Sequence, residues 1–326
     1  MQGYPLTLTK IKPSVACFWT GERSMSNMIL LLFCFVAGMA LRRTRRMPDN
    51  ASAALNGFII NIGLPALALA YLHGMALDRI LLVAALMPWI MFILAIILIW
   101  PVARLLGLSR STTGCVMLVG GLANTSFVGV PMIEAFYGPE YMGIGIVADL
   151  LGSQIVLAVF GIALARAFSD GPRPKVGEIV WRVLQFPPFV ATIAALALTG
   201  VSFPEWLQEL LLRLAATVAP IALLSIGFQL RLSDVRGKVP ALALGLTYKL
   251  LIGPALIFAI YVGLLDLSGP VVRISIFEAA MAPMVSAAII AMDNDLDPPL
   301  ATLLVGVGVP ISFFTLFAWY HFLGGV

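Results

Sequence analysis

The side chains in this sequence that could do chemistry are few, and they sit where chemistry is costly. Glu278, Asp149 and Lys249 lie inside long apolar runs, and Gln154 follows Asp149 by five residues. A charge in a low-dielectric segment is expensive, so such residues face a partner, a cavity or an ion path. Glu278 comes five residues before Pro283 and is expected to face a break there, where it could carry a proton or help hold a cation. Asp149, with Gln154 nearby, is a second proton-carrier candidate. Lys249 could pair with either acid or attract an anion. The plainer reading of all three is a static buried pair, or a long side chain reaching to the membrane surface. At this level both readings stand.

Amides and hydroxyls gather around intramembrane prolines. Asn124 and Thr125 precede Gly129 and Pro131, and Ser286 follows Pro283 by one turn. Asn61 precedes Pro65 by one turn, and Gln229 lies late in the run that contains Pro220. Proline inside a helix removes an N–H and disturbs the carbonyl one turn back, yet it starts a new helix well. Gly129 with Pro131 therefore permits one unwound stretch, and Pro283 permits another. At such breaks, half-helix N-termini present free N–H groups and partial positive charge. That arrangement suits a carboxylate without any fixed cation. Asn124 and Thr125 would touch the substrate or satisfy freed backbone groups, and Ser286 would mirror them or simply pack. Asn61 and Gln229 either line the route or cap a disturbed backbone.

Other polar residues carry less. His73 reads as a loop residue, His321 as a residue at the membrane edge and Glu134 as interfacial. Neither histidine has a metal partner at useful spacing. Cys17, Cys34 and Cys115 show no metal spacing, and the last two lie inside spans as small apolar packing residues. Asp293, Asp295 and Asp297 resemble half a calcium loop but lack its downstream Gly and Glu, so they read as a solvated turn. No metal and no cofactor is expected.

The elements that must position these residues follow from composition. Apolar residues make up 61% of the 326, charged residues 11%, and mean hydropathy is +1.02. A soluble domain carries about a quarter charged residues. With 29 Gly to let helices approach closely, the fold class is all-α and polytopic in a membrane. About 20 apolar residues cross the hydrocarbon core as a helix. Cutting at charged or Pro/Gly connectors gives ten spans, near 26–41, 50–73, 79–104, 110–137, 141–168, 179–200, 205–230, 238–264, 270–292 and 298–323.

The net charge of +4 does not imply a nucleic-acid partner, because 13 of the 20 basic residues lie in loops on one side. Those loops contain Arg42, Arg43, Arg45, Arg46, Arg104, Arg110, Arg166, Arg173, Lys175, Arg182, Arg231, Arg236 and Lys238. The basic side is expected to be cytoplasmic, with both termini on the opposite side. Residues 1–24 have no apolar core of a signal peptide and are expected to be a mobile leader, with Met25 a candidate start.

The prolines also mark an internal repeat. Pro65 and Pro131 are 66 residues apart, and Pro220 and Pro283 are 63 apart. Asp78 lies 13 residues after Pro65, and Asp234 lies 14 after Pro220. The halves thus look like copies offset by 152–155 residues. Five spans per half is odd, so the second copy is inverted, which places a binding site near the midplane between the halves. The expected organisation is a leader at 1–25, a first repeat at 26–168, a cytoplasmic connector at 169–178 and a second repeat at 179–326.

The run Gly121-Leu122-Ala123-Asn124-Thr125-Ser126-Phe127-Val128-Gly129-Val130-Pro131-Met132, then Phe136-Tyr137-Gly138, resembles the Asn-Thr-x-x-x-Gly-x-Pro motif of the auxin efflux carrier family. Glu278-Ala279-Ala280-Met281-Ala282-Pro283, Ala291-Met292-Asp293-Asn294-Asp295 and Leu64-Pro65-Ala66-Leu67 look like that family too. The resemblance runs from about Ser26 to the C-terminus. It implies ten spans in two inverted five-helix repeats, with spans four and nine broken and crossing at mid-membrane. It also implies transport of organic anions by an elevator-like movement. The missing long central loop is similar to the compact bacterial members, which implies a bacterial cytoplasmic membrane and small carboxylates as substrates.

Two carrier readings follow: a facilitative or proton-driven carrier of small organic anions, and a sodium-coupled symporter of the related bile-acid type. Glu278 with Gln154 is a thin cage for sodium. An enzyme is not expected, since no His-Glu-x-x-His helix, phosphate loop or paired intramembrane aspartates occur. A channel would favour a continuous polar stripe, whereas polarity concentrates at the two breaks. The expected partners are the organic anion and lipid. The coupling ion and a homodimer stay open.

Overall fold

The computed structural model describes residues 21–73, 79–169, 185–229 and 237–325. Asp78, Asp234, residues 1–20 of the leader, the connector beyond Ser169 and the start of the sixth span lie outside the described residues. Helices account for almost all of the rest, and no strand occurs among the described residues. We label the helices α1 (Gly21–Arg43), α2 (Ala51–Leu72), α3 (Leu81–Leu105), α4a (Arg110–Gly121), α4b (Thr125–Phe136) and α5 (Pro139–Phe168). The second half contains α6 (Pro187–Ala197), α7 (Glu205–Gln229), α8 (Val239–Leu264), α9a (Pro270–Ala279), α9b (Val285–Asp293) and α10 (Pro298–Phe322). Six of them are each long and apolar enough to cross a bilayer. The chain is an all-α, multi-pass membrane protein. Residues 21–25, expected in the leader, are the first turn of α1.

The sidedness of these helices is that of a membrane protein. Along α3, Leu82, Leu86, Ile93 and Ile97 are exposed, while Ala84, Met87, Met91 and Ala95 are buried. Both faces are apolar, so polarity does not separate the packed face from the outer one. Close approaches go through glycine. A Cβ on Gly38 of α1 would collide with the backbone of Leu224 and Phe228 on α7, and one on Gly227 with the backbone of Phe35. In these places α1 and α7 touch backbone to backbone.

Two packing groups result. α1 lies along α7, and α6 along α2, forming a four-helix set that α2 and α7 complete. Helices α3, α4, α5, α8, α9 and α10 form the other set. The two sets meet chiefly where α4b lies against α7 and α1, and where α5 lies against α2.

Proline does two different things here. Pro65, Pro131 and Pro254 each follow a wide i→i+5 turn, at Ile59–Gly63, Thr125–Gly129 and Tyr248–Ile252, and the helix continues through them. The wide turn makes room for the ring where an α-turn would clash. The expectation that Gly129 and Pro131 unwind the fourth span is therefore corrected. The break lies earlier, at Leu122–Asn124, where Leu122 is extended (φ −112, ψ 137) and Asn124 sits at φ −81, ψ 71. Pro283, by contrast, lies inside a true break between Ala279 and Val285.

The proline register changes with it. Arg110 and Pro270 open the two broken helices 160 residues apart, and Ala123 and Pro283 are bridged at the same interval. Pro283 is thus the counterpart of Ala123, and Pro131 is not its equivalent. The pair Pro65 and Pro220 keeps its expected relation, each falling about four turns into its helix.

Candidate functional site

The two breaks cross and bond to each other. Asn124 N–H donates to Ala282 O over 2.9 Å, and Met284 N–H donates to Leu122 O over 3.1 Å. These bonds make a short antiparallel bridge centred on Ala123 and Pro283. Pro283 has no N–H to give, and it occupies the position in the bridge that needs none. Four half-helices therefore meet at one point. α4a and α9a arrive with their C-termini, and α4b and α9b leave with their N-termini.

The two N-termini differ. Asn124 Oδ1 accepts from Phe127 N–H at 3.1 Å, capping α4b. Met284, its counterpart, gives α9b no side-chain cap, so the first N–H groups of α9b, beginning at Val285, keep their donor capacity. The remaining amide nitrogen of Asn124, Nδ2, is buried and without a hydrogen-bond partner. Asn124 itself is 1% exposed. A buried amide donor without an acceptor is costly, so this one is a vacant donor on a residue of the crossing. Ser286 is half-buried in the first turn of α9b. By the 160-residue interval its counterpart is Ser126.

Thr125 is already engaged. Its hydroxyl donates to Asp149 Oδ1 at 2.6 Å. Gln154 Nε2 donates to the same oxygen and to Ser126 Oγ, both at 3.3 Å. Asp149 thus lies in a network tying α4b to α5, and both Asp149 and Thr125 are buried. Ser126 was not singled out from the sequence, although it stands inside the motif run. Gln154 also lines a cavity of about 130 Å³, mostly apolar, between α5, the start of α6 and α9b, with Phe186, Phe189 and Ile290 among its walls.

Glu278 sits in the last turn of α9a, fully buried, with both carboxyl oxygens unpartnered. Its carboxyl group lies against the bare backbone of Gly129, and a Cβ on Gly145 would come within 3.0 Å of Oε1. These two glycines leave room for the carboxyl group. Gly145 carried no signal in sequence, since only the fold brings α5 to α9a. Lys249, fully buried in the wide turn of α8, donates from Nζ to Ala279 O at 2.5 Å. Among the described residues Lys249 forms neither of the ion pairs open to it. The wide turns thus hold Asn61, Thr125, Asp149 and Lys249, four of the polar residues picked out from sequence.

The remaining candidates lie elsewhere. Asn61 is exposed and its amide donates to Gly57 O at 2.8 Å, within its own helix. Gln229 donates to Ser225 Oγ at 3.0 Å, and Ser225 donates to Asn56 Oδ1 at 2.6 Å, which links α7 to α2. His73 ends α2, bonds through Nε2 to Leu198 O and Val201 O, and stacks on Phe203. Asp293, the last residue of α9b, and Asp295, in the turn after it, are exposed, and the solvated-turn reading is corrected for Asp297. Asp297 is 8% exposed, pairs with Lys238 at 2.7 Å, accepts from Thr112 Oγ1 at 2.7 Å and caps α10. It fastens α4a, α8 and α10 together at the arginine-rich end of the bundle.

A family model described as membrane transport protein matches residues 24–320. An uncharacterised transporter of Methanothermobacter thermautotrophicus is 25% identical over 303 residues, covering 91% of this chain and 97% of the relative. Another uncharacterised transporter, from Methanocaldococcus jannaschii, is 21% identical over 305 residues, covering 90% and 97%. With broken helices that cross and a match over nearly its whole length, the chain belongs to the membrane transport protein family, that of the auxin efflux carriers.

Proposed function

We propose that this transporter is a secondary carrier of small organic anions, holding the carboxylate of its substrate at the crossing of α4 and α9. The observation that carries this reading is the pairing of two donor sets: the vacant Asn124 Nδ2 and the uncapped first turn of α9b. A carboxylate is an acceptor-only group, and a helix N-terminus with an amide beside it offers what it accepts. Thr125, Gly129, Pro131, Pro283 and Ser286 shape or support that position. Asp149 and Glu278 are the candidate proton carriers, and of the two Glu278 has the free oxygens.

The packing supports an elevator-like movement. The crossing, Asp149, Lys249 and Glu278 all belong to the six-helix set, so that set can carry the whole site past the four-helix set. The two sets correspond to helices from both inverted repeats, 26–168 and 179–326, joined by the cytoplasmic connector. We place the protein in the bacterial cytoplasmic membrane with the arginine-rich end inside and both termini outside.

Replacing Asn124 by Ala tests the site. Purified protein is screened for a rise in melting temperature with small carboxylates, since a ligand that binds only the folded state stabilises it. The stabilising acid is then used for uptake into reconstituted vesicles. Asn124→Ala is expected to abolish the ligand-induced rise and lower uptake by roughly 10-fold or more, as expected for a buried hydrogen bond to a charged group. Uptake kinetics equal to wild type would remove Asn124 from the site.

A further inference from the structure

The cavity beside Gln154 lies in the seam between the two helix sets, with α5 and α9b from one set and the start of α6 from the other. Leu157, Ala158 and Ile162 of α5 wall it together with Phe186, Phe189 and Ile290. Gln154 is the polar residue of this lining, and its amide nitrogen is engaged with Ser126 and Asp149. A space of about 130 Å³ among such side chains stays dry and accepts hydrocarbon.

The walls run on into the outer surface of the bundle. On α5, Val159 and Phe160 directly follow the lining residues Leu157 and Ala158 and are exposed. On α6, Val190 follows Phe189 and is exposed, as is Ile193 one turn past Phe189. On α9b, exposed Ile289 precedes Ile290. In a multi-pass membrane protein, large apolar side chains exposed along the spans are the bilayer-contacting surface. The crevice is therefore continuous with the lipid interface on all three of its helices.

Depth agrees with this. Ile162 and Gln154 precede the end of α5 at Phe168 by six and 14 residues, so the crevice reaches from about 9 to about 21 Å below that end. In a hydrocarbon core about 30 Å thick, those are the depths of acyl chains in the leaflet at the arginine-rich end. Arg166 lies in the last turn of α5, one turn beyond Ile162, which puts a cation at the headgroup end of a chain entering here. A crevice open to hydrocarbon is not left empty, because wall atoms without neighbours forfeit their dispersion contacts.

We propose that this crevice is a lipid site, in which one acyl chain of a phospholipid fills the seam between α5 and α6 with its phosphate toward Arg166. The lipid is then part of the joint between the two helix sets, and not only of the bilayer around them. Nothing in this site depends on which substrate is carried, and its test uses none.

The test is photolabelling of the purified full chain in phosphatidylcholine vesicles that contain a phosphatidylglycerol with a diazirine midway along one acyl chain. Peptide mass spectrometry then places the labels. Leu157 is 5% exposed, so a chain lying on the outer surface does not reach it. Wild type is expected to carry label at Leu157 and Phe189, besides the lipid-facing Leu86 and Ile93 of α3. Ala158→Phe fills the crevice and is expected to lose the label at Leu157 and Phe189 while α3 keeps its own. Ala158→Leu serves where the larger side chain prevents folding. Wild type labelled on α3 but not at Leu157 overturns the proposal, and so does label at Leu157 that survives the filling. Labelling of Leu157 by a water-soluble diazirine overturns it too, because the crevice would then open to water. Both wild-type outcomes are read whether or not the filled variants fold.

Discussion

Replacing Gly129 by Ala adds one methyl group beside Glu278, and the structure determines what it meets. The new Cβ would lie 2.8 Å from the carboxyl carbon and 2.5 Å from Oε1, closer than non-bonded atoms approach. Gly129 has helical backbone angles (φ −60, ψ −57), so alanine fits the chain conformation. Helix propensity alone would favour alanine by about 1 kcal/mol. Any loss of stability is therefore steric. Overpacking a full core costs about 1–3 kcal/mol, which leaves a net loss of about 0–2 kcal/mol for Gly129→Ala. Glu278→Ala removes the carboxyl group that the methyl strikes, so the double variant should be more stable than the sum of the single effects by about 1–3 kcal/mol. Unfolding of the four proteins in the same detergent completes the cycle. Additivity to within about 0.5 kcal/mol would mean that Glu278 does not rest on Gly129, and the cradle described for it would be wrong.

Two further outcomes test the surroundings. Thr125→Val strips the 2.6 Å hydrogen bond from buried Asp149 and should cost about 1–3 kcal/mol, while Thr125→Ser keeps the hydroxyl and should melt near wild type. Equal melting of the two variants would remove that bond from the account. Asp297→Ala loses the α10 cap, the Lys238 pair and a residue suited to a left-handed backbone (φ 48), for a cost of about 2 kcal/mol or more in thermal unfolding. Asp297→Asn keeps the cap and tolerates that backbone, so it should lose less. The reverse order would refute the capping role.

The helices among the described residues were legible because about 20 apolar residues between charged connectors have few other folded solutions. The crossing was legible through Asn124, where an amide stands in an apolar run. Proline misled at Pro131, because residue type alone does not distinguish a helix that widens from one that breaks. The chain widens at Thr125–Gly129 and breaks at Leu122–Asn124, where neither Leu122 nor Ala123 carries any signal. Asp297 was misread because its partners, Lys238 and Thr112, are 59 and 185 residues away. The reach of Lys249 to Ala279 O, and the cradle of Gly129 and Gly145, likewise depend on tertiary packing that no local spacing encodes.

The bridge between the two breaks also has a consequence for biogenesis. Its bonds are made by the backbone, one donor and one acceptor from each half. During synthesis at about 5–20 residues per second, Leu122–Asn124 is made roughly 10–30 s before Ala282–Met284. For that interval the nascent first half holds an unpaired N–H and C=O with no complement in its own sequence. A chain stopped after α5 would keep them unpaired inside the bilayer, at a cost of several kcal/mol per group. Such a half-molecule could satisfy them by meeting a second copy of itself inserted the other way up.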